Sequence, residues 1–241
     1  MDKTQEKIME LVQQAAPMDP IHYVDYAVEG LAMEALNSGI KSCNACEECH
    51  EGPRSIISGN PHGAILVVGE YILESQFREN VPEVKPFDRT AEGNLLLETF
   101  EELGVNQKQL IFMNVVNCFT HAKVGNEICK RAPKSSEISN CQCFVDYAIN
   151  SFKPLSILVL GNIALNVFKK GVIAKDRGTW FNIREKIPSL ATYSPTTVLQ
   201  IKDEELKEMY TSGFKADIKE FFDRIMEAFP DSDIVLNKEE N

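Results

Sequence analysis

Four thiols carry the clearest chemical signal in this chain. Cys43 and Cys46 form a close pair, Cys118 lies far downstream, and Cys141 follows after a gap of 22 residues. Thiolates so widely separated suit a metal ion or an iron–sulfur cluster that ties distant segments together. The chain has seven cysteines, and its N-terminus lacks a basic region followed by an apolar stretch. A cytoplasmic, reducing compartment is therefore expected, with thiols acting as ligands or core residues rather than disulfides. Cys49 makes a second CxxC with Cys46, and it competes with Cys129 and Cys143 for the ligand positions. Spacing alone does not separate zinc on four thiolates from a cluster.

The elements that must position such a site read as an α/β fold. Residues 64–69 and 156–161 are short apolar runs ending in glycine, as expected of strands buried on both faces. Residues 109–117 and 190–193 supply two more strands, and a long polar loop follows the first of these. Helices are predicted at 3–15, 21–38, 92–103, 136–152, 162–170 and 214–229, with Pro17 and Pro20 separating the first two. Strands alternating with helices predict a three-layer α/β/α sandwich around a four-stranded parallel sheet. Sites in such sheets lie beyond the carboxyl ends of the strands. Here those ends are Gly69-Glu70, the stretch 114–118, Gly161-Asn162 and Tyr193-Ser194.

Charge divides the chain in the same way. The net charge is −11, but residues 1–38 carry −5, residues 202–241 carry −6, and the middle is neutral. The expected organisation is an acidic helical extension (1–38), a domain (39–229) and an acidic, frayed tail (230–241). Within the domain, bases gather at Lys123, Lys130, Arg131 and Lys134, and again between Lys169 and Lys186. Phosphate binding needs such a local patch rather than a basic protein. No apolar run is long enough to span a bilayer, so no membrane partner is expected.

Seven motifs, in order, carry a family resemblance. They are Cys43-Asn44-Ala45-Cys46 with Arg54 and Gly59-Asn60-Pro61; Gly69-Glu70; Pro86-Phe87 before Gly93-Asn94-Leu95-Leu96; Asn114-Val115-Val116-Asn117-Cys118; Pro133 with Glu137-Ile138 and Cys141; Leu160-Gly161; and Arg177-Gly178-Thr179-Trp180. Over about residues 40–228 the chain resembles the family-4 uracil-DNA glycosylases, which carry an iron–sulfur cluster.

The resemblance implies that Cys43, Cys46, Cys118 and Cys141 hold a [4Fe–4S] cluster in a structural role, with zinc as the chemical alternative. It makes Phe87 the ring on which a flipped base stacks and Asn114 the amide that reads the base edge. Glu70 becomes the carboxylate that orients water or stabilises the sugar cation. Val198 and Leu199 fall where an apolar wedge would enter the minor groove, and Gln200 where an arginine is common. Arg177 and Trp180 are expected to support the fold near the cluster.

Two departures fall on the chemistry. The family's small residue, Pro and Gly after Gly-Glu are replaced by Tyr71-Ile72-Leu73-Glu74, in a segment about four residues longer. The family's final His-Pro motif reads Ser194-Pro195-Thr196, which makes Ser194 a weakened oxyanion donor. Of the histidines present, only His121 lies near enough in the motif order to reach the site. The expected function is a divergent glycosylase acting on DNA that contains uracil or a related pyrimidine. The alternative is a silent module on the same fold that binds DNA or a modified base, or docks a protein partner through its acidic extensions.

Overall fold

The structure, a computed structural model, describes residues 20–47, 52–125 and 127–236. The predicted helix at 3–15 and Cys49 lie outside these residues. In chain order the elements are α1 (Pro20–Ser42), β1 (Arg54–Ser55), β2 (Ser58–Gly59), β3 (Ile65–Gly69), α2 (Glu74–Arg78), β4 (Glu83–Val84) and α3 (Ala91–Glu102). Next come β5 (Leu110–Asn114), β6 (His121–Val124), β7 (Glu127–Lys130), α4 (Ser135–Phe152), β8 (Ser156–Leu160), α5 (Asn162–Phe168) and α6 (Ile173–Asp176). The last are β9 (Trp180–Ile183), β10 (Ile187–Thr192), α7 (Pro195–Leu199) and α8 (Glu204–Ala228).

The main sheet has the order β2-β5-β3-β8-β10-β9. Its central strands β5, β3, β8 and β10 are parallel, as the apolar runs predict. Two short antiparallel strands extend its edges, β2 on β5 and β9 on β10, so the sheet is mixed and six-stranded rather than four-stranded and parallel. The turn from β9 to β10 passes through Arg184 and Glu185 at φ 52° and 63°. Such left-handed positions usually carry Gly or Asn, and charged residues there leave no turn signal in the sequence.

Side chains alternate across the sheet. Leu66, Val68, Ile111, Met113, Ile157 and Val159 face a core that includes residues of α1, α4 and α5. Ile65, Val67, Leu110, Leu158, Leu160 and Leu190 face another, built with α3, α7 and α8. Three layers result, as predicted. Ala32, Leu36 and Ile40 of α1 are buried in the first core. Helix α8 starts well before residue 214, because Asp203 accepts a hydrogen bond from Leu206 N (2.8 Å) and Glu204 and Glu205 occupy its first turn. Past α8, Ile234 is buried in the second core and Leu236 N donates to Gly104 O (2.8 Å). The chain as far as residue 236 is packed down, not frayed. No helix among the described residues is long and apolar enough to cross a membrane.

Two local features shape the site. The polar stretch after β5 is a hairpin, β6 against β7, with His121 opposite Lys130 and Gly125 in the turn at φ 63°. The segment after Glu70 buries Ile72 beside Val84 and Phe119 in a small satellite core, with Phe77 and Val81 packed on it. Phe77 stacks on Phe119 at 4.1 Å between ring centroids. Ile72 therefore pins the bulky Tyr71–Glu74 replacement to this satellite core, while Tyr71 and Leu73 stay at the strand end.

Candidate functional site

Glu70, Phe87, Asn114 and Ser194, predicted from the sequence, line one cavity at the carboxyl ends of the central strands. Tyr71 and Lys130 line it with them, and its volume is about 30 Å³. That is room for about two water molecules.

Asn114 ends β5 and is buried. Its Nδ2 donates to Ser55 Oγ (2.9 Å), which fixes the amide. Its Oδ1 lies against Gly69, where a Cβ would come within 2.5 Å of it and within 2.7 Å of the Phe87 ring. Glycine at position 69 thus lets the reading amide and the ring close over the strand end.

Phe87 sits at φ 63°, a left-handed conformation rare for a bulky side chain. Such strain costs about 1–3 kcal/mol and persists only where the surroundings enforce it. Here Thr90 Oγ1 donates to Phe87 O (3.1 Å), and Thr90 Oγ1 in turn accepts from Gly93 N (2.9 Å) as the N-cap of α3. A Cβ at Gly93 would lie 1.7 Å from Phe87 O, so only glycine allows this approach. Gly93→Ala is expected to cost about 3 kcal/mol by forcing the backbone apart. Thermal unfolding should then show a Tm lower by roughly 6–12 °C; a variant melting with the wild type would show that the 87–93 segment adapts freely.

Glu70 follows β3 with its carboxyl group turned onto Gly161, where a Cβ would meet it at 2.4 Å. Its Oε1 accepts from Ile163 N (2.8 Å), and the carboxylate also accepts from the Ser194 hydroxyl. Burial pushes the Glu70 pKa above the usual glutamate value; the Ile163 and Ser194 hydrogen bonds and the Lys130 charge oppose this without cancelling it. Ser194 is buried and caps α7, accepting from Thr197 N (3.2 Å) and pairing with Thr197 Oγ1 (2.9 Å). The Ser194 side chain thus sits between the Glu70 carboxylate and the first turn of α7.

Several expectations are corrected. His121 does not line the cavity: it is buried in a stack with Phe119 (6.0 Å) and Phe77 (6.4 Å), its Nδ1 3.2 Å from Phe119 O. Val198 is fully buried in the core under α7 and cannot act as a wedge, because α7 turns it onto the sheet. Leu199 remains partly exposed. Arg177 and Trp180 lie with α8, on the sheet face opposite the one where Cys141 is buried. Arg177 pairs with Asp217 (2.8 Å) and Trp180 stacks on Phe221 (5.6 Å). Tyr71 and Lys130 belong to the cavity without having been assigned to it from sequence. The Gly125-Asn126 pair between two short runs was the signal for the hairpin that delivers Lys130.

The cysteine segments converge away from this cavity. Arg54 forms a β-bridge with Cys118, and its Nη2 donates to Cys43 O (3.5 Å). Asn140, next to Cys141, donates to Cys46 Sγ (3.3 Å) and Ala45 O (3.2 Å). Cys118 and Cys141 are buried, whereas Cys143 is exposed and Cys129 lies on the hairpin. Among the described residues, no three Cys, His, Asp or Glu side chains are gathered as a metal-holding group. Arg54 Nε and Asn117 Nδ2 are buried without a hydrogen-bond partner among those residues. Both belong to residues beside Cys118, by the β-bridge and by sequence. Four thiolates with donors that inorganic sulfides would satisfy suit an iron–sulfur cluster in donor chemistry and in segment placement.

A search of curated proteins found no match. A family model described as the uracil DNA glycosylase superfamily matches residues 57–219, which spans the cavity residues, Cys118 and Cys141. With most of its length matched, and with the strand-end cavity in the position described above, the chain belongs to the uracil DNA glycosylase superfamily.

Proposed function

We propose that the protein hydrolyses the N-glycosidic bond of uracil or a related pyrimidine in DNA. The observation that carries this reading is Phe87, held in a strained conformation over Gly69, beside a fixed Asn114 amide and a buried Glu70 carboxylate. A base extruded from the strand would stack on Phe87 and meet Asn114 with its polar edge. Glu70 would orient the water that attacks C1′ and offset the sugar's positive charge as the bond breaks. Leu199, beside the cavity-lining Pro195 and Thr196, is the remaining candidate wedge.

Cys43, Cys46, Cys118 and Cys141 would hold a [4Fe–4S] cluster. Bound there, it would cross-link the loop after α1, the stretch after β5 and the N-terminal half of α4. By charge alone, the acidic terminal sequences would suit a basic protein partner.

A second reading has its own support in the cavity volume of about 30 Å³. A base does not fit a cavity of that volume, which suits a module that has lost excision. Single- and double-stranded oligonucleotides containing uracil distinguish the two. Alkali-labile abasic sites are the expected result. Salt-sensitive DNA binding without any abasic product would instead establish the binding module.

A further inference from the structure

The cavity contains a cation that the family's motif pattern does not supply. Lys130 is the last residue of β7, in the stretch between Cys118 and Cys141 that is longer here than the family pattern. Its Nζ stands 4.9 Å from the centroid of the Tyr71 ring and its charge acts on Glu70. The hairpin that carries it is anchored at the adjoining residue. Arg131 N donates to Thr120 O (3.1 Å), Arg131 Nε to His121 O (2.8 Å), and Arg131 Nη1 to Glu137 Oε2 (2.8 Å) on α4. Glu137 is itself buried and caps that helix through Lys134 N (2.6 Å). Lys130 is therefore placed by a braced strand end, not by a free loop.

Ser194, which also lines the cavity, stands where the family has its histidine, and it is a short, uncharged hydroxyl already paired with Thr197 Oγ1 (2.9 Å). As the glycosidic bond breaks, its electron pair moves onto the base, and the site needs a positive or donating group to meet that charge. We propose that Lys130 is this group: its ammonium stabilises the departing base anion, in place of the missing histidine. The assignment rests on the glycosylase reading for its catalytic meaning, and on the cavity alone for its anion preference. In the balanced step, C1′–N1 breaks with both electrons going to the base, and water oxygen bonds to C1′. The water's proton passes to Glu70 and from there to the base anion. Nothing is oxidised or reduced. An ammonium donates hydrogen bonds but has no lone pair, so the step forms no imine.

The test compares uracil with 5-fluorouracil in single-stranded oligonucleotides, using wild type, Lys130→Gln and Lys130→Arg. Fluorine makes the base a better leaving group, which lessens the need for a cation. Lys130→Gln should lose about a hundredfold in rate on uracil and far less on 5-fluorouracil, with Lys130→Arg retaining most activity. Equal losses on both bases would mark a structural role, and no loss, or an imine trapped by borohydride, would also overturn the assignment.

A second arm needs no turnover. Free 5-fluorouracil is titrated, across the pH range of its own ionisation, into protein saturated with an abasic-site oligonucleotide. Among the described residues, the other titratable groups lining the cavity are Glu70 and Tyr71, so Glu70→Gln and Tyr71→Phe serve as controls. Wild type should bind more tightly as the base becomes anionic, and Lys130→Gln should lose that preference. If wild type shows no anion preference, the assignment falls. If the preference is present but no uracil is released, Lys130 stands as an anion-binding group and the glycosylase reading fails.

Discussion

Glu70→Gln is expected to abolish base release and to leave a protein more stable than the wild type at alkaline pH. The rate effect follows from removing the only carboxylate that lines the cavity among the described residues. A positioned general base contributes about 10²–10⁴-fold. The stability effect follows from the direction in which Glu70 is shifted. Burial raises its pKa in the folded protein, so the folded state holds this proton more tightly than the unfolded chain does. Stability from this group is fully present below the ordinary glutamate pKa and is lost as pH rises through the raised value.

Glutamine carries no such charge. The two proteins should therefore differ least at acid pH, and the gap should widen through the raised pKa and then level off. Paired thermal melts between about pH 4 and pH 9 give the comparison. A variant less stable than wild type at pH 8 would show that the hydrogen bonds from Ile163 and Ser194 outweigh burial. Glu70 would then be a structural cap for α5 rather than a catalytic group.

Much of this site was legible in the sequence because its positions are set by strand ends. Glu70, Asn114 and Ser194 each follow or end a strand written as a short apolar run, and a parallel sheet gathers such ends at one edge. The edge strands were not legible, since β9 turns into β10 through Arg184 and Glu185 with no glycine to mark it. Nor was the strain at Phe87, because a left-handed phenylalanine has no compositional signal of its own. Only its neighbours do: Gly93 and Thr90 are the residues that permit and enforce it.

Lys130 shows a different limit. Its charge was visible, but its place in the cavity depends on a hairpin register and on its packing over the Tyr71 ring. Val198 failed as a wedge for a similar reason. An apolar residue after a strand-end motif can face DNA or the core, and the rotation of a five-residue helix decides which.

Cys118→Ala or Cys141→Ala is expected to release bound iron and to destabilise the fold well beyond what a buried cysteine normally contributes. A structural metal centre that assembles only in the folded state puts its binding free energy into folding. Polar contacts that join the segments that would share this one include the Arg54 and Asn140 hydrogen bonds and the Arg54–Cys118 bridge. Removing a ligand would leave those contacts to hold the loop after α1 against β5 and α4.

Purified wild type should be brown and carry about four irons and four acid-labile sulfides per chain. A colourless protein with one zinc would identify the other thiolate chemistry. Cys129→Ser and Cys143→Ser serve as controls and should change neither metal content nor Tm, since one thiol lies on the hairpin and the other is exposed. If no metal copurifies under anaerobic conditions and Cys118→Ala melts with the wild type, the four thiols are core and loop residues. The buried, unpartnered Arg54 Nε and Asn117 Nδ2 would then need a different acceptor. Arg54→Gln separates these cases. With a cluster present it should shift the reduction potential or speed loss of iron, because hydrogen bonds to cluster sulfurs tune both potential and stability. Without one it should alter only the melting temperature.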